Sequence, residues 1–109
     1  MRVFIDEHLD VRLYQLFGGN FDAETADYRG WKGAQNGELM RRAAAEYDAF
    51  VTNDQNIPHQ QNIAALDLRV VVLIAPSHKV EDSEPLVPDV EKALREMAPG
   101  DVCYVEAPA

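Results

Sequence analysis

Residues 70–74 form an unbroken run of branched apolar side chains, and this run constrains the fold more than any other feature of the chain. A short apolar run of this kind is typical of a strand that is buried on both faces. Strands covered on both faces occur mainly in parallel sheets, because the crossover connections place helices over them. The run therefore predicts a central strand, over residues 69–75, in a mostly parallel sheet.

The rest of the chain alternates between strand-like and helix-like patterns. Strand patterns occupy residues 2–5, 21–26, 49–52 and 102–105, and apolar residues at helical spacing occupy 9–17, 39–47, 58–66 and 86–97. The last pattern starts in a turn-rich lead at residues 85–88. Asn36 is predicted to cap the second helix, and Pro58 suits the first turn of the third. This alternation predicts a three-layer α/β/α fold with a mostly parallel five-stranded sheet, helices on both faces and right-handed crossovers. For such a sheet we assume the strand order 2-1-3-4-5.

Length and charge narrow the class of protein further. The 109 residues contain no internal repeat or linker, so we expect a single domain over residues 1–109. The net charge of −9 argues against a polybasic, DNA-wrapping role but not against an enzyme that binds a divalent metal through acidic residues. The chain has a single cysteine, Cys103, and no apolar stretch approaches the length of about 20 residues that a membrane span needs. We therefore expect a cytoplasmic protein.

Acidic side chains follow two predicted strands, and a third acid opens a helix. Asp6 follows the first strand, Asp54 lies just past the third, and Glu38 lies early in the helix after the second. In open parallel sheets, ligands bind beyond the carboxyl ends of the strands, where the strand order reverses. We therefore expect Asp6 and Asp54 to face one another at this edge. Three nearby side chains add candidate oxygen ligands: Glu7, Asn36 and Asn56.

Oxygen ligands of this kind suit Mg²⁺ or Mn²⁺, and carboxylates gathered without a cation repel one another. The residues alone leave ordinary explanations open for each acid. Asp6 could cap the following helix, Glu38 could pair with Arg42 four residues later, and Asp54 could be a turn residue.

Three segments, residues 3–9, 30–39 and 50–56, resemble the PIN (PilT N-terminus) nuclease superfamily. The chain is most similar to a small, uncharacterised PIN-like subfamily whose members open with an Asp-Glu-Asn-Leu segment. The resemblance covers roughly residues 2–75, and it depends on the order and spacing of the acidic segments and on the Thr-x-Asp-x-Asx pattern at residues 52–56.

The resemblance implies a Mg²⁺- or Mn²⁺-dependent endoribonuclease, and many members are toxins of bacterial toxin–antitoxin modules that a small partner silences. Asp6 matches the metal ligand after the first strand, Asp54 the first Asp of the Thr-x-Asp-x-Asp segment, and Glu38 an acidic position early in the helix. Asn36 and Asn56 stand where the family usually has Asp. Each change removes a negative charge, so metal affinity should fall and two-metal catalysis should suffer most.

An active enzyme would hydrolyse RNA phosphodiesters with a metal held by Asp6 and Asp54, and Glu38 would act through a bound water. Thr52 would hydrogen-bond a metal-binding carboxylate, and Glu7 would support the metal ligands without binding the metal itself. Four cations could contact the RNA backbone or could simply be solvated: Arg29, Lys32, Arg41 and Arg42.

Two other functions fit parts of the pattern. The Asn departures also suit a catalytically degenerate PIN-like binding or regulatory protein. A phosphoacceptor receiver domain would use Asp6 and Glu7, Asp54 and Ser77, but it needs a Lys after the last strand, and Lys79 lies in another loop. The histidines, His8, His59 and His78, lack the spacing of zinc ligands. The segment after residue 75 matches no motif and could hold a partner surface or a homodimer interface.

Overall fold

The computed structural model describes residues 1–77 and 79–107. The five strands are β1 (Arg2–Ile5), β2 (Asp22–Thr25), β3 (Ala49–Thr52), β4 (Arg69–Ile74) and β5 (Val102–Glu106). The helices are α1 (Ala26–Arg29), α2 (Asn36–Glu46), α3 (Ile57–Gln60), α4 (Val80–Ser83) and α5 (Val87–Glu96). Shorter 3-10 helices occupy Val11–Leu16, Ile63–Ala65 and Glu84–Leu86.

The strands form one sheet of order β2-β1-β3-β4-β5, and every pair is parallel. The predicted three-layer α/β class and the 2-1-3-4-5 order are therefore confirmed. β4 is buried on both faces from Val70 to Leu73, because the branched side chains of the run point alternately into the two layers.

Alternation along the strands divides the core between two faces. On one side, here called the α5 face, Val3 and Ile5 pack with the first 3-10 helix and α5. On the other, the α2 face, Phe4 and Phe50 stack with ring centroids 5.6 Å apart and pack with α2 and α3. Each layer is apolar because every second strand residue must face it.

Several local predictions differ from the structure. The 9–17 pattern forms a 3-10 helix rather than an α-helix, and the short helix α1 directly follows β2. Asn36 is the first residue of α2 and not its cap; the cap position is Gln35. The turn-rich lead predicted at residues 85–88 is present as a 3-10 helix, Glu84–Leu86, but α5 begins already at Val87, so that Pro88 lies in its first turn. These ends depend on local capping contacts that apolar spacing does not report.

The prediction that all the crossovers are right-handed is wrong, because two of them differ in handedness. The β3–β4 and β4–β5 connections step in the same direction along the sheet, yet α3 packs on the α2 face and α5 on the opposite one. Two such connections have opposite handedness. The handedness rule comes from the twist that a strand passes to the helix it feeds, and here α4 and a 3-10 turn separate β4 from α5. The long connection between β4 and α5 lets α5 pack on the α5 face, which it shares with the first 3-10 helix.

The part of the chain that the structure describes contains no helix that is both long enough and apolar enough to cross a bilayer.

Candidate functional site

Asp6 directly follows β1, at the point where the strand order reverses between β1 and β3. Its backbone N–H donates to the carbonyl oxygen of Val51 at 3.0 Å, which continues the β1–β3 ladder by one residue. The residue is only 4% exposed. A carboxylate at this depth is costly unless its charge is compensated, so its environment decides what it can do.

Two hydrogen bonds hold the Asp6 carboxylate. Oδ2 accepts from the hydroxyl of Thr52 at 2.7 Å, and Oδ1 accepts from the backbone N–H of Glu7 at 2.8 Å. Burial raises the pKa of Asp6 above its usual 3.8, while these two hydrogen bonds and the nearby His8 act in the opposite direction and offset part of the rise. A carboxyl group whose pKa is raised by burial at the ligand-binding edge of a sheet is a candidate functional group.

Thr52 connects the ends of β1 and β3. It is fully buried as the last residue of β3, donates its hydroxyl proton to Asp6 and accepts the backbone N–H of Asp54 at 3.0 Å. The predicted hydrogen bond from Thr52 to a carboxylate is therefore present. It brings the chain at Asp54 to the side of Asp6, as the strand order requires.

Asp54 begins the turn into α3. Its Oδ1 accepts the backbone N–H of Asn56 at 2.9 Å, and its carbonyl oxygen accepts the N–H of Ile57 at 3.3 Å. Asp54 is half-buried, and Asn56 is exposed at the cap position of α3. The turn role that the sequence left open for Asp54 is thus real, and within residues 1–77 and 79–107 no hydrogen bond engages its second carboxylate oxygen.

The side chain of Asn53 also contributes to this edge. Its Nδ2 donates to the carbonyl oxygen of His8 at 3.4 Å, which joins the loops after β3 and β1. Sequence reasoning did not identify Asn53 as part of this edge. Its position between Thr52 and Asp54 is the signal that could have indicated a structural role.

The remaining predicted ligands lie around this centre with partners of their own. Glu38 is paired with Arg42 at 2.7 Å on the surface of α2, with side chains 47% and 43% exposed. Both Glu7 carboxylate oxygens lie 3.2 Å from the backbone N–H of Gly33, so Glu7 fastens the loop before α2. Asn36 is half-buried in the first turn of α2.

The structure therefore joins Asp6, Thr52 and Asp54 directly and places Glu38, Glu7, Asn36 and Asn56 outside that hydrogen-bonded unit. Over residues 1–77 and 79–107, no group of three or more His, Cys, Asp or Glu side chains has the arrangement of a metal site. His78 lies outside the described residues.

The cations that were predicted to contact RNA differ in exposure and in their contacts within the protein. Lys32 and Arg41 are exposed, and Lys32 lies 3.9 Å from Asp27. Arg42 lies 5.7 Å above the Trp31 ring while it pairs with Glu38. Arg29 instead bonds Tyr47 and Glu46 within the fold, so its guanidinium serves the structure.

The groups that a receiver domain would use are also engaged locally. The Ser77 hydroxyl donates to Asp82 and accepts the backbone N–H of Lys79, so it organises the loop that leads to α4. Lys79 is exposed in the same loop.

Comparison of the chain with protein-family models, with curated proteins and with solved structures found no match.

Proposed function

We propose that this protein is a PIN-like, Mg²⁺- or Mn²⁺-dependent endoribonuclease in which Asp6 and Asp54 hold the metal. The observation that carries the proposal is the buried Asp6 carboxylate at the strand-order reversal, fixed by the same Thr52 hydroxyl that binds the Asp54 backbone. A fold does not gain stability from burying a charge there, so a ligand-binding role explains it better.

The donor atoms suit a hard divalent cation. Each carboxylate oxygen of Asp6 accepts one hydrogen bond, and an ionised carboxylate offers about four acceptor sites, so each oxygen keeps room for another ligand. Asp54 adds an oxygen from the neighbouring loop. Two carboxylates with water are a usual donor set for Mg²⁺ and Mn²⁺, whereas the amides of Asn36 and Asn56 would bind more weakly than the acids they replace.

A bound cation would supply a water of lowered pKa and would stabilise charge on the phosphate. Thr52 would keep the Asp6 carboxylate oriented, which preorganises the site before RNA arrives. Glu38 could accept a proton from a bound water after releasing Arg42. An exposed pair of this kind is worth only about 0.2–1 kcal/mol, so its release costs little.

Substrate approach requires local positive charge, because the whole chain carries a net charge of −9. Lys32, Arg41 and the released Arg42 lie on α2 and the loop before it, and they are the proposed contacts to the RNA backbone. The role as a toxin with a small protein antitoxin follows from the sequence resemblance and is part of the same proposal.

A catalytically degenerate PIN-like binding protein is the second candidate. The observation that favours it is the pairing of Glu38 with Arg42 together with the two Asn residues, since these leave two acids rather than five for the cation. Such a protein would bind Mn²⁺ weakly or not at all and would leave RNA intact.

The test is cleavage of a fluorescent single-stranded RNA in the presence of Mn²⁺, with an EDTA control. We expect Asp6→Asn and Asp54→Asn each to reduce the rate by roughly 100-fold or more, because loss of a ligand should exceed the 10–100-fold cost typical of supporting groups. Asp67→Asn is the matched control. It makes the same change at an exposed acid near the amino-terminal ends of the strands, before β4, and should leave the rate unchanged.

Calorimetric titration with Mn²⁺ separates the alternatives. Weak or absent Mn²⁺ binding, without cleavage of RNA, would identify the degenerate protein. Cleavage that survives both Asp6→Asn and Asp54→Asn would exclude this site. Transfer of phosphate from acetyl phosphate to Asp54 would instead indicate a receiver.

A further inference from the structure

The outer side of β2 is an unpaired sheet edge that borders a groove. β2 has one neighbour in the sheet, β1. A cavity of about 450 Å³ runs along its other side, between the first 3-10 helix and α1. Val11 and Tyr14 line it from the helix, and Asp27 and Tyr28 line it from α1.

The backbone of β2 offers hydrogen-bonding groups to this groove. The N–H of Asp22 donates to the carbonyl oxygen of Met1, so Asp22 and, by alternation, Glu24 direct their backbone groups toward β1. Ala23 must then direct its N–H and C=O toward the groove, and Thr25 its N–H, because the carbonyl oxygen of Thr25, the N-cap of α1, is directed into that helix. A chain in extended conformation could pair with these groups as an additional strand.

The walls of the groove are unusually apolar for a surface. Val11 is 48% exposed, Tyr14 44% and Tyr28 74%. Among the described residues, five large hydrophobic side chains are exposed, and three of them line this groove. A cluster of exposed apolar side chains marks an interaction surface more often than a scattered one does.

Acidic side chains frame the same groove and indicate the charge of its occupant. Asp22 is exposed, and among the described residues no ion pair involves it. Asp27 has a 68% exposed side chain and only a 3.9 Å contact to Lys32, whereas Glu24 is already paired with Arg2. The groove thus presents uncompensated negative charge to a ligand.

This charge argues against a second copy of the chain as the occupant. Pairing of two β2 strands would bring Asp22 and Glu24 of one copy against the same acids of the other, in a protein whose net charge is already −9. Like charges across paired strands are destabilising. The basic side chains of a positively charged partner would instead be attracted to these acids.

We propose that this groove binds a basic, extended segment of another protein, which pairs with β2 as a sixth strand. On the α5 face its side chains would lie over Val11 and Tyr14 and should be apolar. On the α2 face they would lie near Asp22, Asp27 and Tyr28 and should be arginine or lysine, with a cation–π contact to the tyrosine ring. The partner sequence should therefore alternate apolar and basic residues.

The experiment uses a capped peptide of alternating valine and arginine, titrated into the ¹⁵N-labelled protein at physiological salt. We expect amide shifts confined to β2, the first 3-10 helix and α1. A block peptide of the same composition, with the valines together and the arginines together, controls for charge alone and should bind at least about tenfold more weakly. An alternating valine and glutamate peptide should not bind.

Two variants test the geometry. Ala23→Pro removes an outward N–H without touching the β1–β2 ladder, and a proline is tolerated on an edge strand. It should weaken peptide binding at least about tenfold. Tyr104→Pro is the matched change on β5, the other edge strand, and should leave binding unchanged. Asp22→Lys, an exposed substitution, should also abolish binding and provides the test if Ala23→Pro does not fold.

Equal binding of the block and alternating peptides, or shifts spread over the whole acidic surface, would overturn the proposal, since charge alone would explain them. Binding that survives Ala23→Pro and Asp22→Lys would also overturn it. A dimer in sedimentation that Ala23→Pro abolishes would show that the edge pairs with a second copy instead.

Discussion

Thr52 uses one hydroxyl group for two contacts, and both concern the candidate site. It donates to Asp6 and accepts from the Asp54 backbone in a fully buried position. In the described residues, every buried side-chain oxygen or nitrogen has a partner, and Thr52 supplies the partner for Asp6. This residue therefore supports both the stability of the edge and the orientation of its carboxylate.

Thr52→Val should lower the free energy of unfolding by about 1–3 kcal/mol, because it leaves a buried carboxylate oxygen and a backbone N–H without their partner. Urea denaturation at neutral pH measures this. Thr52→Ser keeps the hydroxyl and is the control; it should cost less than Thr52→Val. Equal stability of Thr52→Val and the unmodified protein would contradict the account.

Asp6 should make stability depend on pH in a direction opposite to that of most carboxylates. Because burial raises its folded pKa, the folded protein holds this proton more tightly than the unfolded chain does. The stability it contributes is fully present below the usual pKa of 3.8 and is lost as the pH rises through the raised value. A carboxyl with this behaviour costs stability at neutral pH.

Asp6→Asn removes the titration and keeps the shape. The free energy of unfolding of the variant, relative to the unmodified protein, should therefore increase from acid to neutral pH. The carboxyls of Glu24 and Asp10, whose pKa values are lowered (that of Asp10 to about 2), act in the opposite direction but are common to both proteins. Urea unfolding at several pH values measures the difference, and a constant difference would show that Asp6 is not perturbed.

At the scale of elements, the loop from α5 to β5 depends on a backbone conformation that side chains disfavour. Gly100 has φ of 93°, and a Cβ there would lie 3.3 Å from the carbonyl oxygen of Ala64. Its N–H donates to the carbonyl oxygen of Leu68 at 2.9 Å, which fixes the entry into β5 beside β4. The close approach of residues 64 and 100 is a tertiary contact.

Gly100→Ala should lower the free energy of unfolding by about 1–2 kcal/mol, the usual cost of a left-handed backbone with a side chain, plus any cost of the contact to Ala64. Gly19→Ala is the matched control, since in the described structure a Cβ at Gly19 has no neighbour within 4 Å. It should be neutral or slightly stabilising. Thermal or urea unfolding compares the two, and equal effects would remove the conformational argument.

At the scale of the whole molecule, net charge opposes the compact state. The chain has 19 acidic against 10 basic residues, and the excess remains after the surface ion pairs are formed. Self-repulsion among these charges weakens as salt shortens the screening length from about 30 Å at 0.01 M to about 8 Å at 0.15 M.

We therefore expect the midpoint of urea unfolding to rise when NaCl is increased from about 0.01 M to about 0.15 M. Urea is uncharged and does not itself screen. Charge reversal at the exposed Asp89, by Asp89→Lys, should reduce the salt dependence because it lowers the excess by two charges. A midpoint that falls with salt would mean that attractive ion pairs outweigh the repulsion.

The sequence by itself determined the class of fold and the edge of the sheet at which to look. The apolar run of β4 and the alternation of strand and helix patterns led to the parallel sheet, because burial on two faces is a local property of composition, whereas the strand order, which was assumed and then confirmed, is not. The positions of Asp6, Thr52 and Asp54 at strand ends followed from the same reasoning.

Only the tertiary structure decided which of the candidate residues meet. It joined Asp6, Thr52 and Asp54, placed Glu7 against Gly33 and α5 on the face opposite α3, and left the acidic groove beside β2 open. These outcomes depend on hydrogen bonds and packing between segments far apart in the chain. The spacing of residues within one segment carries no information about them.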